Sequence, residues 1–249
     1  MTEENNWIIP DWDAPAHVRA LVTTRRSLCR GSSSGPYADF NLADHVGDDP
    51  QAVANNRRSL CRHLPSEPVW LRQVHGTHVL VTNGGTPQNI EADASLTRLP
   101  GSVCAVLTAD CLPLLLCNES GTVAAAAHAG WRGLANGVIE AVIAAMAKPG
   151  PDLLVWLGPA IGSTAFEVGE DVRAAFLAHD ANAASAFAPT EAGKWLCDIY
   201  ELARQRLAAL GVARVYGGNF CTYSDPARFY SFRRDGDTGR MASMIWLAP

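Results

Sequence analysis

Residues 103–133 read VCAVLTADCLPLLLCNESGTVAAAAHAGWRG. Two apolar runs flank the polar segment Asn118-Glu119-Ser120-Gly121, the pattern of two antiparallel strands joined by a turn. Pairing symmetric about that turn sets Cys111 opposite His128. Residues that face each other across such a pair carry Cβ atoms about 4.5–5.5 Å apart on one face. A thiolate and an imidazole so placed can share one metal ion. A slip of one residue would send them to opposite faces. Pro113 has no N–H for the ladder, and its place two residues after Cys111 implies an edge or a bulge. From this stretch alone Cys111 also reads as a core thiol, and His128 as a satisfied strand-end histidine. Beyond His128, Ala129-Gly130-Trp131-Arg132-Gly133 leads into a helix. A strand, a glycine turn and a helix start offer backbone N–H groups to an anion, and Arg132 adds a planar fork suited to phosphate or carboxylate. An ordinary strand-to-helix turn with Trp131 in the core is the other reading.

Working outward, His75 lies in Leu71-Arg72-Gln73-Val74-His75-Gly76-Thr77-His78, before a glycine at the start of a strand. That position suits a ligand, with His78 as its alternative. Further strands are expected at 18–23, 78–82, 103–108, 114–117, 122–127, 153–157 and 241–246. Asp198 followed by Glu201 is a capping box. It opens a helix at 198–210 whose residues Ile199, Leu202, Ala203, Leu207 and Leu210 share a face, with Gly211 as its stop. A second helix is expected at 134–147, ended by Pro149-Gly150, and a third at 170–178. Residues 31–40 and 83–88 read as loops. Helices interleave with strands while hairpins also occur, so the class is α+β with mixed sheets. No repeat or linker divides residues 1–249, which read as one domain.

The 249 residues are 48% hydrophobic and 18% charged, ordinary for a globular protein. A net charge of −5 without a run of like charges argues against nucleic acid or an anionic membrane as main partner. It leaves room for a local basic pocket. The start MTEENNWIIPDW is polar and acidic and lacks the apolar core of a signal peptide. No apolar stretch reaches the roughly 18 residues of a membrane helix. The seven cysteines are odd in number and contain no C-x-x-C, so reduced thiols in the cytoplasm are expected rather than disulfides or a zinc knuckle.

The motifs Gln73-Val74-His75-Gly76, Ala92-Asp93-Ala94, Thr108-Ala109-Asp110-Cys111-Leu112-Pro113 and Ala127-His128-Ala129-Gly130-Trp131-Arg132-Gly133 resemble the YfiH family. So do Gly158-Pro159-Ala160-Ile161-Gly162, Phe166-Glu167-Val168-Gly169, Cys221-Thr222, Ser231-Phe232-Arg233-Arg234-Asp235 and Thr238-Gly239-Arg240. The family is also called multicopper polyphenol oxidase, laccase-domain or peptidoglycan editing factor. The likeness runs in order from about Val18 to Leu247. It implies a mixed-sheet α/β sandwich distantly like the catalytic domain of cytotoxic necrotizing factor toxins. It implies a metal site of His75, Cys111 and His128, and places Asn41 and Gln73 in segments near that site.

Three protein ligands with one open position are the pattern of catalytic zinc. Multicopper oxidation fails a physical test, because a mononuclear and a trinuclear copper centre need many His-x-His pairs. This chain has seven histidines and no such pair. A single copper giving weak polyphenol oxidase activity remains compatible with thiolate and imidazole donors. The resemblance implies a zinc-dependent purine nucleoside enzyme with adenosine deaminase, purine nucleoside phosphorylase and methylthioadenosine phosphorylase activities. Phosphorolysis needs a site for phosphate, for which Arg132, Arg72 and Arg234 are candidates. The alternative is an amidase that removes L-serine from a UDP-muramoyl precursor, a nucleotide-sugar substrate. Either a monomer or a homodimer fits.

Overall fold

The computed structural model describes residues 7–26, 31–82, 90–191 and 193–249. The loop expected at 83–88, the first six residues and Cys29 lie outside them. Along the described chain the elements run β1 (Val18–Val22), α1 (Pro50–Cys61), β2 (Val79–Thr82), β3 (Ala94–Thr97), β4 (Cys104–Thr108), β5 (Leu112–Asn118) and β6 (Ala124–Ala129). There follow α2 (Trp131–Asn136), α3 (Val138–Met146), β7 (Leu153–Leu157), β8 (Glu167–Val168), α4 (Glu170–Leu177), β9 (Phe187–Pro189), β10 (Trp195–Cys197) and α5 (Ile199–Ala209). The last are β11 (Arg214–Gly217), α6 (Phe232–Asp235) and β12 (Met241–Leu247).

The hairpin β5–β6 forms the middle of a six-stranded sheet ordered β11-β7-β5-β6-β3-β2. Its outer pairs β11–β7 and β2–β3 are parallel and the inner pairs antiparallel, so the sheet is mixed as expected. β1, β12 and β4 form an antiparallel three-stranded sheet, and β8, β10 and β9 a smaller one. One face of the large sheet carries Leu112, Leu114, Leu116, Ala125 and Ala127 against α3 and α5. Its other face carries Leu115, Cys117, Ala124 and Ala126 against Cys104, Val106 and Ile245 of the three-stranded sheet. The far side of that second sheet is covered by Phe40, Leu42, Trp70 and Leu60 of α1. Both strands of the hairpin are therefore buried on both faces, which is why they read as continuous apolar runs instead of alternating.

The ladder differs from the symmetric expectation. Leu112 faces Ala129 and Pro113 faces His128, two residues further along, so Cys111 does not stand opposite His128. The cause is Asn118. Its side-chain oxygen accepts from the N–H groups of Thr122 and Val123, drawing Thr122 into the loop, while Gly121 takes a positive φ of 61°. A slip of two preserves the face; by continuation, Gly130 comes opposite Cys111. Pro113 marks neither an edge nor a bulge. It is the second residue of a central strand, beside the point where pairing with β7 begins at Leu114.

The helix expected at 134–147 is two helices, because Gly137 adopts a left-handed conformation (φ 97°) that ends α2 and opens α3. Helix α5 starts as its capping box requires, with Asp198 accepting from Tyr200 and Glu201 N–H. Helix α1 was not expected from the sequence; its signals are the Asp49 cap, Pro50 at its first turn and a short face of Ala52, Val53, Asn56 and Leu60 that the fold buries.

Candidate metal centre

β4 and β5 are consecutive in the chain but belong to different sheets. Ala109, Asp110 and Cys111 make the corner between them. Asp110 turns it with a positive φ of 91°, a costly conformation for a residue with a side chain. It is held there by buried bonds. Its carboxylate accepts from Thr222 Oγ1 (2.6 Å), Ser231 Oγ (3.0 Å) and the Arg233 N–H (2.7 Å), and its carbonyl accepts from Ile161 N–H. This corner aims Cys111 into a gap at the end of the large sheet.

His75 enters the gap from the loop before β2, also with positive φ (58°). Asp93, fully buried ahead of β3, fixes that loop by accepting from the N–H groups of Val74, His75 (2.9 Å) and Gly76 (2.6 Å). The same carboxylate bonds His128 Nδ1 at 2.9 Å, which leaves Nε2 of His128 facing the gap. The two imidazoles sit 4.8 Å apart, centroid to centroid, at 73°. His75 Nε2 lies 3.8 Å from Cys111 Sγ. A Cβ on Gly130 would come within 2.6 Å of the His75 ring and 3.1 Å of the sulfur. Only glycine leaves the space in which thiol and ring meet.

The ligand atoms of His75, Cys111 and His128 all lie within 4.8 Å of one another. Bonds of about 2.3 Å to sulfur and 2.0 Å to nitrogen, at a tetrahedral angle, separate donors by about 3.5 Å. An N₂S donor set at this spacing, with an orienting carboxylate behind one imidazole and no side chain at Gly130, fits a metal ion. Among the described residues this is the one such group of three.

The electrostatics of the metal-free cluster are those of an ion pair. Burial would push the Cys111 thiol up, but the His128 cation and hydrogen bonds from both histidines outweigh it and bring it down to about 6. Burial likewise opposes the His128 cation, yet the Cys111 thiolate and Asp93 raise it to about 9. Asp93 is held below the usual carboxylate range: burial alone would raise it, and the bonds from His128 and the backbone N–H groups of Gly76 and Val74 prevail. By contrast, burial drives the core thiols Cys104, Cys117 and Cys197 up to about 12. Cys111 thus differs from the other buried thiols by its charge partners.

A cleft of about 140 Å³, open to solvent, lies beside Cys111, walled by Trp131, Ile161, Phe166, Ile199, Phe232 and Arg233. The other sequence candidates each have their own surroundings. Gln73 brackets Leu107, donating to its carbonyl and accepting from its N–H. Asn41 is fully buried and bonded to Ala43, Asp48 and the Arg240 N–H. Arg234 donates to the carbonyls of Thr222, Tyr223 and Phe229 and to Asp235. Arg72 pairs with Glu91 at the surface. Arg132 lies exposed over the Trp131 ring at 4.3 Å. Sequence reading missed Asp93 and Asp110 as site residues, though both stand in the family motifs. Their signal is an acid set inside an apolar segment, which demands buried partners.

The family described as multi-copper polyphenol oxidoreductase laccase matches residues 19–248. The chain belongs to that family. A curated relative in Pseudomonas aeruginosa, purine nucleoside phosphorylase PA4543, is 56% identical over 98% of this chain and 99% of its own length. Purine nucleoside phosphorylase YfiH of Escherichia coli is 52% identical over 96% of this chain and 98% of its own. Among solved structures, Neisseria meningitidis protein NMB0706 superposes with a TM-score of 0.92 at 49% identity, covering 98% of this chain and all of that one. The expected YfiH resemblance therefore holds at full length, and laccase-family members share this mixed α/β fold.

Proposed function

We propose that this chain is a purine nucleoside phosphorylase whose reaction centre is His75, Cys111 and His128 beside the Trp131–Phe166–Phe232 cleft. The observation that carries the reading is the meeting of three metal-type donors at the edge of a largely apolar, solvent-open cleft. Relatives about half identical over their whole length, and named for that activity, support it. His75, Cys111 and His128 would hold the metal, zinc in this reading, which would supply Lewis acidity and lower the pKa of a water there. Asp93 fixes the His128 tautomer so that Nε2 points inward. The aromatic walls take the purine ring and keep water from the glycosidic bond. An oxygen of phosphate attacks C1′, the C1′–N9 bond breaks with its electron pair going to the base, and a proton neutralises the departing purine. Adenosine deaminase and methylthioadenosine phosphorylase activities belong to the same reading: in deamination water attacks C6 of the purine, the C6–N bond breaks and ammonia leaves, and in the second phosphorolysis the thioether suits an apolar wall. A thiol at the centre suits a reducing, cytoplasmic setting.

A second reading rests on one arrangement: Cys111, His128 and Asp93 form a nucleophile–base–orienter series. Without metal, such a series cleaves amides, and a UDP-muramoyl-L-serine precursor is the substrate class. The copper oxidase reading has the family's description behind it and no His-x-His pair to build a copper cluster. Incubation with inosine or adenosine and phosphate should release free base and ribose-1-phosphate. Serine release from the muramoyl substrate, with nucleosides untouched, would favour the second reading. Elemental analysis should find close to one zinc per chain.

A further inference from the structure

The reaction above needs a phosphate site, and the arginines singled out in the sequence are either tied up or out on the surface. Arg240 is neither. It immediately precedes β12, whose Met241 pairs with Thr108 of β4. Continuing that register puts Arg240 opposite Ala109, in the corner that delivers Cys111. Its guanidinium stacks over Phe232 at 5.8 Å, and Phe232 and Ala109 line the same cleft as Cys111. Nη1 donates to the carbonyls of Thr238 (2.6 Å) and Gly239 (3.1 Å), and the backbone N–H is held by Asn41. These bonds fix the direction of the fork. Among the described residues, Nε and Nη2 have no hydrogen-bond partner and no carboxylate lies within ion-pair distance.

A half-buried cation without a counter-ion is unfavourable unless a ligand supplies the charge. Burial does push the Arg240 cation down, the direction expected of a guanidinium drawn out of water without an ion pair. We propose that Arg240 is the phosphate-binding residue, its Nε and Nη2 donating to two oxygens of the dianion beside the cleft. This rests on the phosphorylase reading above. The planar fork matches two phosphate oxygens in a way that no lysine can. The rivals are Arg132, exposed over Trp131, and Arg233, which lines the cleft with Nη1 donating to the Glu167 carbonyl and its guanidinium over Phe166.

The test measures initial rates of metal-loaded protein against phosphate and against inosine. In Arg240→Gln, KM for phosphate should rise on the order of tenfold or more while KM for inosine moves by less than about twofold, with Arg240→Lys between the two. An unchanged phosphate KM, an equal rise in both constants, or a rise confined to Arg132→Ala overturns the assignment. Wild-type protein provides a check that needs no variant. Inorganic phosphate should slow phenylglyoxal modification of Arg240, read by peptide mass spectrometry, more than that of Arg132. Absence of protection at Arg240 overturns the proposal. If the wild type shows no phosphorolysis yet phosphate protects Arg240, the anion site stands and the phosphorylase reading falls.

Discussion

Two buried carboxylates flank the cluster, and they act differently. Asp93 accepts from three backbone N–H groups and from the ring of His128. Asp110 accepts from two hydroxyls and one N–H and touches no histidine. One is joined to the charge of the site; the other pins the strained corner that carries the thiol. The contrast teaches that the sheet ends alone do not build this centre. One acid sets the protonation of an imidazole and ties down the loop of the second. The other sets the direction of the sulfur.

The largest expected effect anchors the comparison. Cys111→Ala should lower activity by on the order of 10³-fold or more and abolish tight metal binding, with circular dichroism unchanged; full activity would remove the centre altogether. Asp93→Asn should cost about 10–100-fold in metal affinity or activity. It should also move the pH midpoint for alkylation of metal-free Cys111 upward from about 6, because His128 loses the partner that keeps it charged. Asp110→Asn should leave that midpoint in place while lowering stability by about 1–3 kcal/mol, read as a fall in melting temperature of about 2–4 °C per kcal/mol for a chain this size. If Asp110→Asn shifts the midpoint and Asp93→Asn does not, the division between the two acids is wrong.

The pH dependence of the metal-free protein sharpens the same contrast. The folded-state pKa of His128 is raised, so its contribution is full below the ordinary histidine value and is lost as pH rises through about 9. That of Cys111 is depressed, so its contribution is full above the ordinary thiol value and is lost as pH falls through about 6. Across that interval one contribution is lost while the other is gained, so the summed contribution of the pair should change little between about 6 and about 9, and calorimetry across that range checks it. Metal uptake near neutral pH should release about one proton, from His128, rather than one from each ligand. The smallest effect belongs to the surface. Arg72→Ala breaks an exposed pair with Glu91 and should change stability by about 0–1 kcal/mol.

Local chemistry made part of the molecule legible. The α5 cap, the existence of the β5–β6 hairpin and the mixed α+β class follow from spacing and composition, and the structure agrees. The three donors were readable as candidates from residue type and motif. Their convergence, the roles of Asp93 and Asp110 and the exposure of Arg240's fork were not. Each depends on partners far away in the chain: Asp110 on Thr222 and Ser231, His128 on Asp93, Arg240 on the cleft wall at Phe232. The internal use of Gln73, Asn41 and Arg234 was hidden for the same reason.

The sequence by itself determined which segments could pair and which side chains could bind a metal, because apolar runs, turns and donor atoms are local properties. Only the tertiary structure decided the hairpin register and the corner that brings Cys111 to His75 and His128. The register turned on Asn118 wrapping its own loop, and the corner on hydroxyls that folding alone brings to Asp110. Both are hydrogen-bond geometries that no hydrophobic period records.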